Sequence, residues 1–232
     1  MLRSIVALLT ASMAFAQQPL AFDVASVKHD LSGGNGGRVN TVGGTFTATN
    51  STLQALIRYA WDVKDYQIKA PAWMNDERYD IEAKPASGTG NRKMKFMLQN
   101  LLVKRFAMQL RSETQTRPIY ALVVDKNGPK LRPSEPADSS TANSSTHNIN
   151  ANKIPLSIFA SMLSGQLDRL VIDETGLKGT YDIKLEWTPD STELGTSVFT
   201  AIKEQLGLKL DSRTGPVAMI VVDKAERNPT AN

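Results

Sequence analysis

The sequence predicts an α+β protein built from two tandem, duplicated β-α-β-β-α-β-β units, and three observations carry that expectation. The second half repeats the first: Phe46-Thr47-Ala48-Thr49-Asn50-Ser51-Thr52-Leu53 aligns with Ile149-Asn150-Ala151-Asn152-Lys153-Ile154-Pro155-Leu156. Tyr79-Asp80-Ile81 returns as Tyr181-Asp182-Ile183, and Val123-Val124-Asp125-Lys126 as Val221-Val222-Asp223-Lys224. The shift drifts from 103 (Phe46 to Ile149) through 102 (Tyr79 to Tyr181) to 98 (Val123 to Val221), as expected of a repeated unit whose loops gained or lost residues. Stretches that alternate apolar and polar, as half-buried strands do, interleave with stretches at helical spacing. Finally, 232 residues are enough for one large or two small cores at roughly 100–200 residues per domain. The expected organisation is a signal peptide over 1–16, a first unit over 17–128, a Pro/Ser/Thr-rich linker or loop over 129–145 and a second unit over 146–232.

In the first unit, Phe22 to Lys28 alternates and predicts a strand. The glycine-rich Gly33-Gly34-Asn35-Gly36-Gly37 leads into a hairpin, Arg38–Val42 with Thr45–Ala48, rather than into a helix. A phosphate-cradling loop needs the helix, so nucleotide binding is not expected there. Asn50 or Ser51 is placed to cap a helix whose apolar side is Leu53, Leu56, Ile57 and Ala60. Strands follow at Tyr66–Lys69 and Tyr79–Lys84, then a helix capped by Asn91 with Met94, Met97, Leu98, Leu101, Leu102 and Phe106 inward. Ala107–Ser112 and Pro118–Val124 predict two closing strands. The second unit repeats this order: a strand at Thr146–Asn150, a helix from Pro155 to Leu163, strands at Leu170–Ile172 and Tyr181–Trp187, a helix over Ser197–Leu206, and strands at Lys209–Arg213 and Val217–Asp223. Glu226 to Asn232 is polar and expected to fray.

Met1 to Ala16 has one early cation, Arg3, an apolar run and a terminal Ala14-Phe15-Ala16, the pattern of a cleaved secretory signal. The expected location is therefore the periplasm or the cell exterior. No other stretch approaches the roughly 20 apolar residues of a membrane helix. With no Cys in the chain, a lipid-anchored cysteine, a disulfide scaffold and a thiolate nucleophile are all excluded. A formal charge of +4, evenly spread, does not argue for nucleic acid.

The chemistry-bearing residues are sparse. His29 and His147 are the only imidazoles, each at the edge of a loop. No ligand spacing joins them to Asp23 or Asp30 as a metal site. Asp80 with Glu82 and Asp182 with Glu186 lie at even spacing on predicted strands, so each pair shares a sheet face. Such pairs serve acid–base chemistry in glycosidases, but a solvated or ion-paired face is the simpler reading. No residue is assigned a catalytic, metal-ligating or cofactor-binding role. The candidate binding surface is a groove lined by Trp61, Tyr66, Trp73 and Arg78, because clustered aromatics with a polar handle suit carbohydrate or peptide. The competing reading is that the tryptophans only close a small core.

Several segments resemble the uncharacterised secreted family of soil acidobacteria known as the soil-associated family, defined by a domain of unknown function. They include Phe22-Asp23-Val24-Ala25-Ser26-Val27-Lys28, Thr52-Leu53-Gln54-Ala55-Leu56-Ile57-Arg58-Tyr59-Ala60-Trp61, Glu77-Arg78-Tyr79-Asp80-Ile81-Glu82-Ala83-Lys84 and Gly176-Leu177-Lys178-Gly179-Thr180-Tyr181-Asp182. Related domains occur attached to membrane metallopeptidase sensors of the antibiotic-receptor type, which implies an extracytoplasmic sensing or interaction role. The element order also resembles the short N-terminal domain of secretins and signalling TonB-dependent receptors, a protein-interaction module. The expected function is a non-catalytic module binding a protein or peptide partner in the cell envelope. The alternative is a polysaccharide- or cell-wall-directed hydrolase using the strand carboxylates.

Overall fold

A computed structural model describes residues 20–34, 36–42, 44–86, 89–135, 139–188 and 196–231. The expected signal peptide lies outside them. From the N-terminus come strands β1 (Val24–His29), β2 (Arg38–Val42) and β3 (Thr45–Thr52), helix α1 (Leu53–Trp61), strand β4 (Ile68–Lys69), strand β5 (Arg78–Lys84) and helix α2 (Asn91–Arg105). There follow β6 (Gln109–Val124), β7 (Arg132–Ser134), β8 (Thr141–Ser145), β9 (Asn148–Ile154), α3 (Leu156–Gln166), β10 (Val171–Asp173), β11 (Thr180–Glu186), α4 (Val198–Leu206) and β12 (Leu208–Lys224). Among the described residues this is a mixed α+β structure of four helices and three four-stranded sheets. It divides into two compact units. Of the described residues, the first holds those up to Asp62, those of Ala72–Met108 and the tail from Lys224; the second holds Val63–Pro71 and those of Gln109–Asp223.

The first unit is built on an antiparallel sheet ordered β1-β5-β3-β2. Helix α1 starts at the residue after Thr52, whose hydroxyl accepts the Ala55 N–H at 3.2 Å. The cap therefore falls just beyond the expected Asn50 or Ser51. Asn50 instead takes a left-handed conformation (φ 49°) and uses its side-chain amide on the preceding loop. Leu53, Leu56, Ile57 and Ala60 of α1 are buried, as are Met94, Leu98 and Leu102 of α2, together with Phe46, Tyr79 and Ile81 of the sheet. Burying each large side chain contributes roughly 1.5–3 kcal/mol. Helix α2 is preceded by Gly90 in the cap position, so Asn91 is its first residue rather than its cap.

The tail is tied down where fraying was expected. Arg105, at the end of α2, is 6% exposed, and its guanidinium donates to the Thr230 carbonyl at 2.6 Å. The Thr230 N–H returns a bond to the Arg105 carbonyl at 2.7 Å, and the Glu226 N–H bonds the Phe106 carbonyl at 2.8 Å. A buried charge needs acceptors, and the polar tail supplies them.

The second unit carries two sheets, β10-β6-β12-β4 and β7-β11-β9-β8. Phe159, Leu163, Ile183, Leu185, Ile202 and Leu206 centre its core. Strands β6 and β12 are each continuous, where the sequence predicts two shorter strands apiece. The polar middles hold because side chains two apart share a face and bond along it. Arg111 and Gln115 both donate to Glu113, and Arg117 donates to Gln115 at 2.9 Å; Lys209 and Arg213 flank Asp211 at 3.0 and 3.3 Å. The segment expected as a linker holds β7, paired with β11, and β8, paired with β9. All five residues of β8 are exposed, so this edge strand lacks the apolar alternation by which a strand is recognised in sequence.

One device occurs twice. The β3–β5 ladder shifts register between Ala48 and Ser51, and the β9–β11 ladder between Tyr181 and Ile183. At each shift one residue has positive φ, Asn50 (49°) and Lys153 (57°). Its N–H is accepted by a carboxylate of the neighbouring strand, Asp80 at 2.8 Å and Asp182 at 3.0 Å. These are the aspartates of the two Tyr-Asp-Ile segments. Their flanking Tyr79, Ile81, Tyr181 and Ile183 are buried.

The helix exits test the backbone. Gly207 follows α4 at φ 65°, and a Cβ there would lie 2.3 Å from the Gly128 oxygen and 2.8 Å from the Lys130 nitrogen. After α2 the left-handed residue is Ala107, at φ 45°. Gly207→Ala is expected to cost more than about 2 kcal/mol, from the left-handed penalty plus the backbone clash. Ala107→Gly should be neutral or stabilising by up to about 1 kcal/mol. Urea unfolding of both variants checks the contrast.

Candidate functional site

The site grows from the start of β5. Alternation along the strand turns Tyr79 into the core and places Arg78 and Asp80 together on the opposite face. Both grip the same residue of β3: Asp80 accepts the Asn50 N–H at 2.8 Å, and the Arg78 Nη1 donates to the Asn50 carbonyl at 3.0 Å. The Asn50 side-chain amide donates to the carbonyls of Gly34 at 2.8 Å and Gly36 at 3.4 Å, folding the glycine-rich loop onto the bulge. Gly37 sits so close that a Cβ would lie 2.6 Å from the Asn50 oxygen and 2.9 Å from the Ser51 Cα. Gly37 thus serves close backbone packing, whereas Gly33 and Gly36 have open space at the Cβ position and serve the loop through their positive φ.

Arg78 stands between two depressions. The first, about 310 Å³, is lined by Gly37, Val39, Ser51, Thr52, Ala55, Arg58, Tyr59 and Arg78. Its lining holds two guanidinium groups and three hydroxyls but no carboxylate. The second, about 330 Å³, is lined by His29, Asp30, Leu31, Gly33, Gly34, Asp76, Glu77 and Arg78, a mostly acidic set. There the His29 ring stacks on Tyr79, centroids 5.1 Å apart, with Nε2 3.9 Å from Glu77. Glu77 accepts from the Tyr79 hydroxyl at 3.1 Å and from Arg227 at 2.9 Å. The Tyr79 hydroxyl also lies 2.7 Å from the Arg227 carbonyl. Burial, reinforced by the Glu77 carboxylate, raises the Tyr79 pKa well above the usual phenol range, so it stays protonated. The Ser32 backbone N–H, 2.8 Å from Asp30, holds that carboxyl below its ordinary range.

Of the expected groove, the first unit carries Trp61, Trp73 and Arg78. Trp61 ends α1, half-buried, and Trp73 lies in a short 3-10 turn, Ala72–Asn75, beneath the Arg227 guanidinium at 5.5 Å. Tyr66 belongs to the second unit. Only Arg78 of the four lines either depression. Neither Arg58 nor Tyr59 was placed in the expected groove, although the inward pattern of α1 leaves both on its flanks. Locating the depression also requires knowing where β2 lies, which no local pattern tells.

The strand carboxylates are engaged in structure. Asp80 and Asp182 hold backbone N–H groups, and Glu186 pairs with Lys184 at 3.1 Å on an exposed face. His147 packs edge-on to Trp187, centroids 6.3 Å apart. Among the described residues no group of three or more His, Asp or Glu is gathered to hold a metal ion, and no helix is long and apolar enough to cross a membrane.

Comparison of this mixed α+β chain with known families places it in one of them. It belongs to the family described as "Protein of unknown function (DUF3738)", whose profile matches residues 54–225. No curated protein matches the chain, and no solved structure does.

Tyr66 yields a pH test. Its hydroxyl is enclosed and, among the described residues, meets no partner at good hydrogen-bond geometry, the Ser164 hydroxyl lying nearby. Burial, helped by the Asp168 charge and opposed by the Ser164 hydroxyl, pushes its pKa from 10.0 up to about 12. The unfolded chain releases this proton near 10.0 while the folded chain keeps it to about 12. The folded state therefore binds more protons in that window, and stability falls as pH rises through it. Tyr66→Phe is expected to be at least as stable at neutral pH and to lose less stability across that alkaline window, as measured by urea unfolding at a series of pH values.

Proposed function

We propose that this protein is a non-catalytic binding module, exported to the periplasm or beyond, whose partner is a protein or peptide of the cell envelope. The observation that supports this reading most is how charge is used around Arg78. Arg78 and Asp80 together hold Asn50, so the charges at the centre of the site act on the backbone, while open depressions lie on either side. The resemblance to domains attached to membrane metallopeptidase sensors favours a role in envelope sensing. The two units are read as products of a duplication, because Asp80 and Asp182 perform the same backbone contact at matching places in the repeat.

The hydrolase alternative would require Asp80 or Asp182 to exchange protons with substrate. Each instead accepts a backbone N–H, and no observation favours proton transfer there. The test is affinity capture from periplasm and medium with the chain lacking residues 1–16, comparing wild type, Asp182→Asn and a folded Trp73→Ala. A partner held by the first two and lost in the third is the expected result. Equal capture by all three, or no capture, would count against the reading.

A further inference from the structure

Helix α2 runs from Asn91 to Arg105 without an acidic residue, and helical spacing divides its side chains among three surroundings. Met94, Met97, Leu98 and Leu102 are buried in the core. The flank beside α1 is occupied, since Lys95 pairs with Asp62 at 2.7 Å and the Gln99 amide donates to the Ala60 carbonyl at 2.8 Å. Arg105 is buried and bound to the tail. The remaining face presents Arg92, Lys93, Phe96, Asn100, Val103 and Lys104, all exposed, Phe96 to 48%. Among the described residues none of Arg92, Lys93 and Lys104 meets a carboxylate.

Asn100 stands one turn from both Phe96 and Val103. Its side-chain amide donates to the Leu20 carbonyl at 2.8 Å, which brings a third exposed apolar residue, Leu20, to their side. The face thus has an apolar centre with cations at both ends, Arg92 and Lys93 at the start of the helix and Lys104 near its close, over about 20 Å. Cations in a first turn oppose the helix dipole, so the helix itself gains nothing from Arg92 and Lys93 there. A bilayer carrying anionic lipid complements the whole arrangement: long basic side chains reach its phosphates while apolar ones between them enter the layer beneath. A soluble polyanion would engage the cations and leave Phe96, Val103 and Leu20 in water.

We infer that the outer face of α2 docks on a membrane surface containing anionic lipid, with Arg92, Lys93 and Lys104 at the headgroups and Phe96 and Val103 in the interface. This goes beyond the binding-module reading, uses neither Trp73 nor the depressions beside Arg78, and stands or falls separately from it. The probe is sucrose-loaded vesicles, either of phosphatidylcholine alone or of equal parts phosphatidylcholine and phosphatidylglycerol. They are cosedimented with the chain lacking residues 1–16, because the apolar run in that stretch would enter lipid by itself.

The protein is expected to partition onto the phosphatidylglycerol vesicles more than about tenfold better than onto phosphatidylcholine, and less well as salt screens the cations. Arg92→Gln, Lys93→Gln and Lys104→Gln should each weaken that partition about fivefold, the scale of one cation at an anionic surface. Phe96→Ser should weaken it roughly fivefold as well, with circular dichroism unchanged. Lys184→Gln, which removes the same charge from the exposed face of β11, should change it less than about twofold. Absence of partition, equal partition onto both vesicles, an equal loss in Lys184→Gln or no loss in Phe96→Ser would each overturn the inference. Single-stranded DNA or polyglutamate bound as tightly as the vesicles, and weakened by the same cation substitutions, would also overturn it, in favour of a site for soluble polyanions.

Discussion

The grip of Arg78 and Asp80 on the peptide groups of Asn50 is the constraint on which the first unit depends. A residue with a side chain at φ 49° is strained, and a bulge leaves its N–H outside the ladder. Asp80 accepts that N–H and Arg78 binds the carbonyl on its other side, so the bulge becomes a fixed corner. From that corner β3 turns into α1 with Thr52 as cap, the glycine-rich loop folds back through the Asn50 amide, and Arg78 is left between two depressions of opposite character. One pair of charges thus orders a strand end, a helix start, a loop and the wall between two depressions.

The second unit uses the carboxylate half of this device. Asp182 accepts the Lys153 N–H, and Lys153 precedes α3 by the same interval that separates Asn50 from α1. The arginine half is missing: the position before Tyr181 is Thr180, whose hydroxyl bonds Ser134 of β7. The shared aspartate therefore has an architectural cause in both places. The arginine of the first unit is the feature that differs, and it borders the basic depression.

The helices were legible because their apolar residues recur at helical spacing, and Leu53, Leu56, Ile57 and Ala60 are buried as read. The buried Tyr and Ile of the repeated Tyr-Asp-Ile were legible from strand alternation. Strand β8 was not, since an edge strand of Thr, Ala, Asn and Ser forms by backbone pairing with β9 and buries no side chain. The continuity of β6 was hidden because its middle is held by same-face polar contacts rather than by apolar burial. The tail looked free because the buried guanidinium that needs it, Arg105, sits more than a hundred residues away in sequence. For the site, Arg78 was legible as a cation near aromatics, whereas Arg58 and Tyr59 acquire meaning only once β2 lies across from α1.

Native-state amide exchange of Asn50 tests this account most directly. Although Asn50 lies at an irregular point beside a glycine-rich loop, its N–H should be protected to the level of core residues of β5 such as Ile81. That protection should fall selectively in Asp80→Ala while the amides of α2 remain slow. Exchange of the Asn50 amide at the rate of an open loop in the wild-type protein, or protection unchanged in Asp80→Ala, would contradict the claim that the Asp80–Arg78 grip holds this corner.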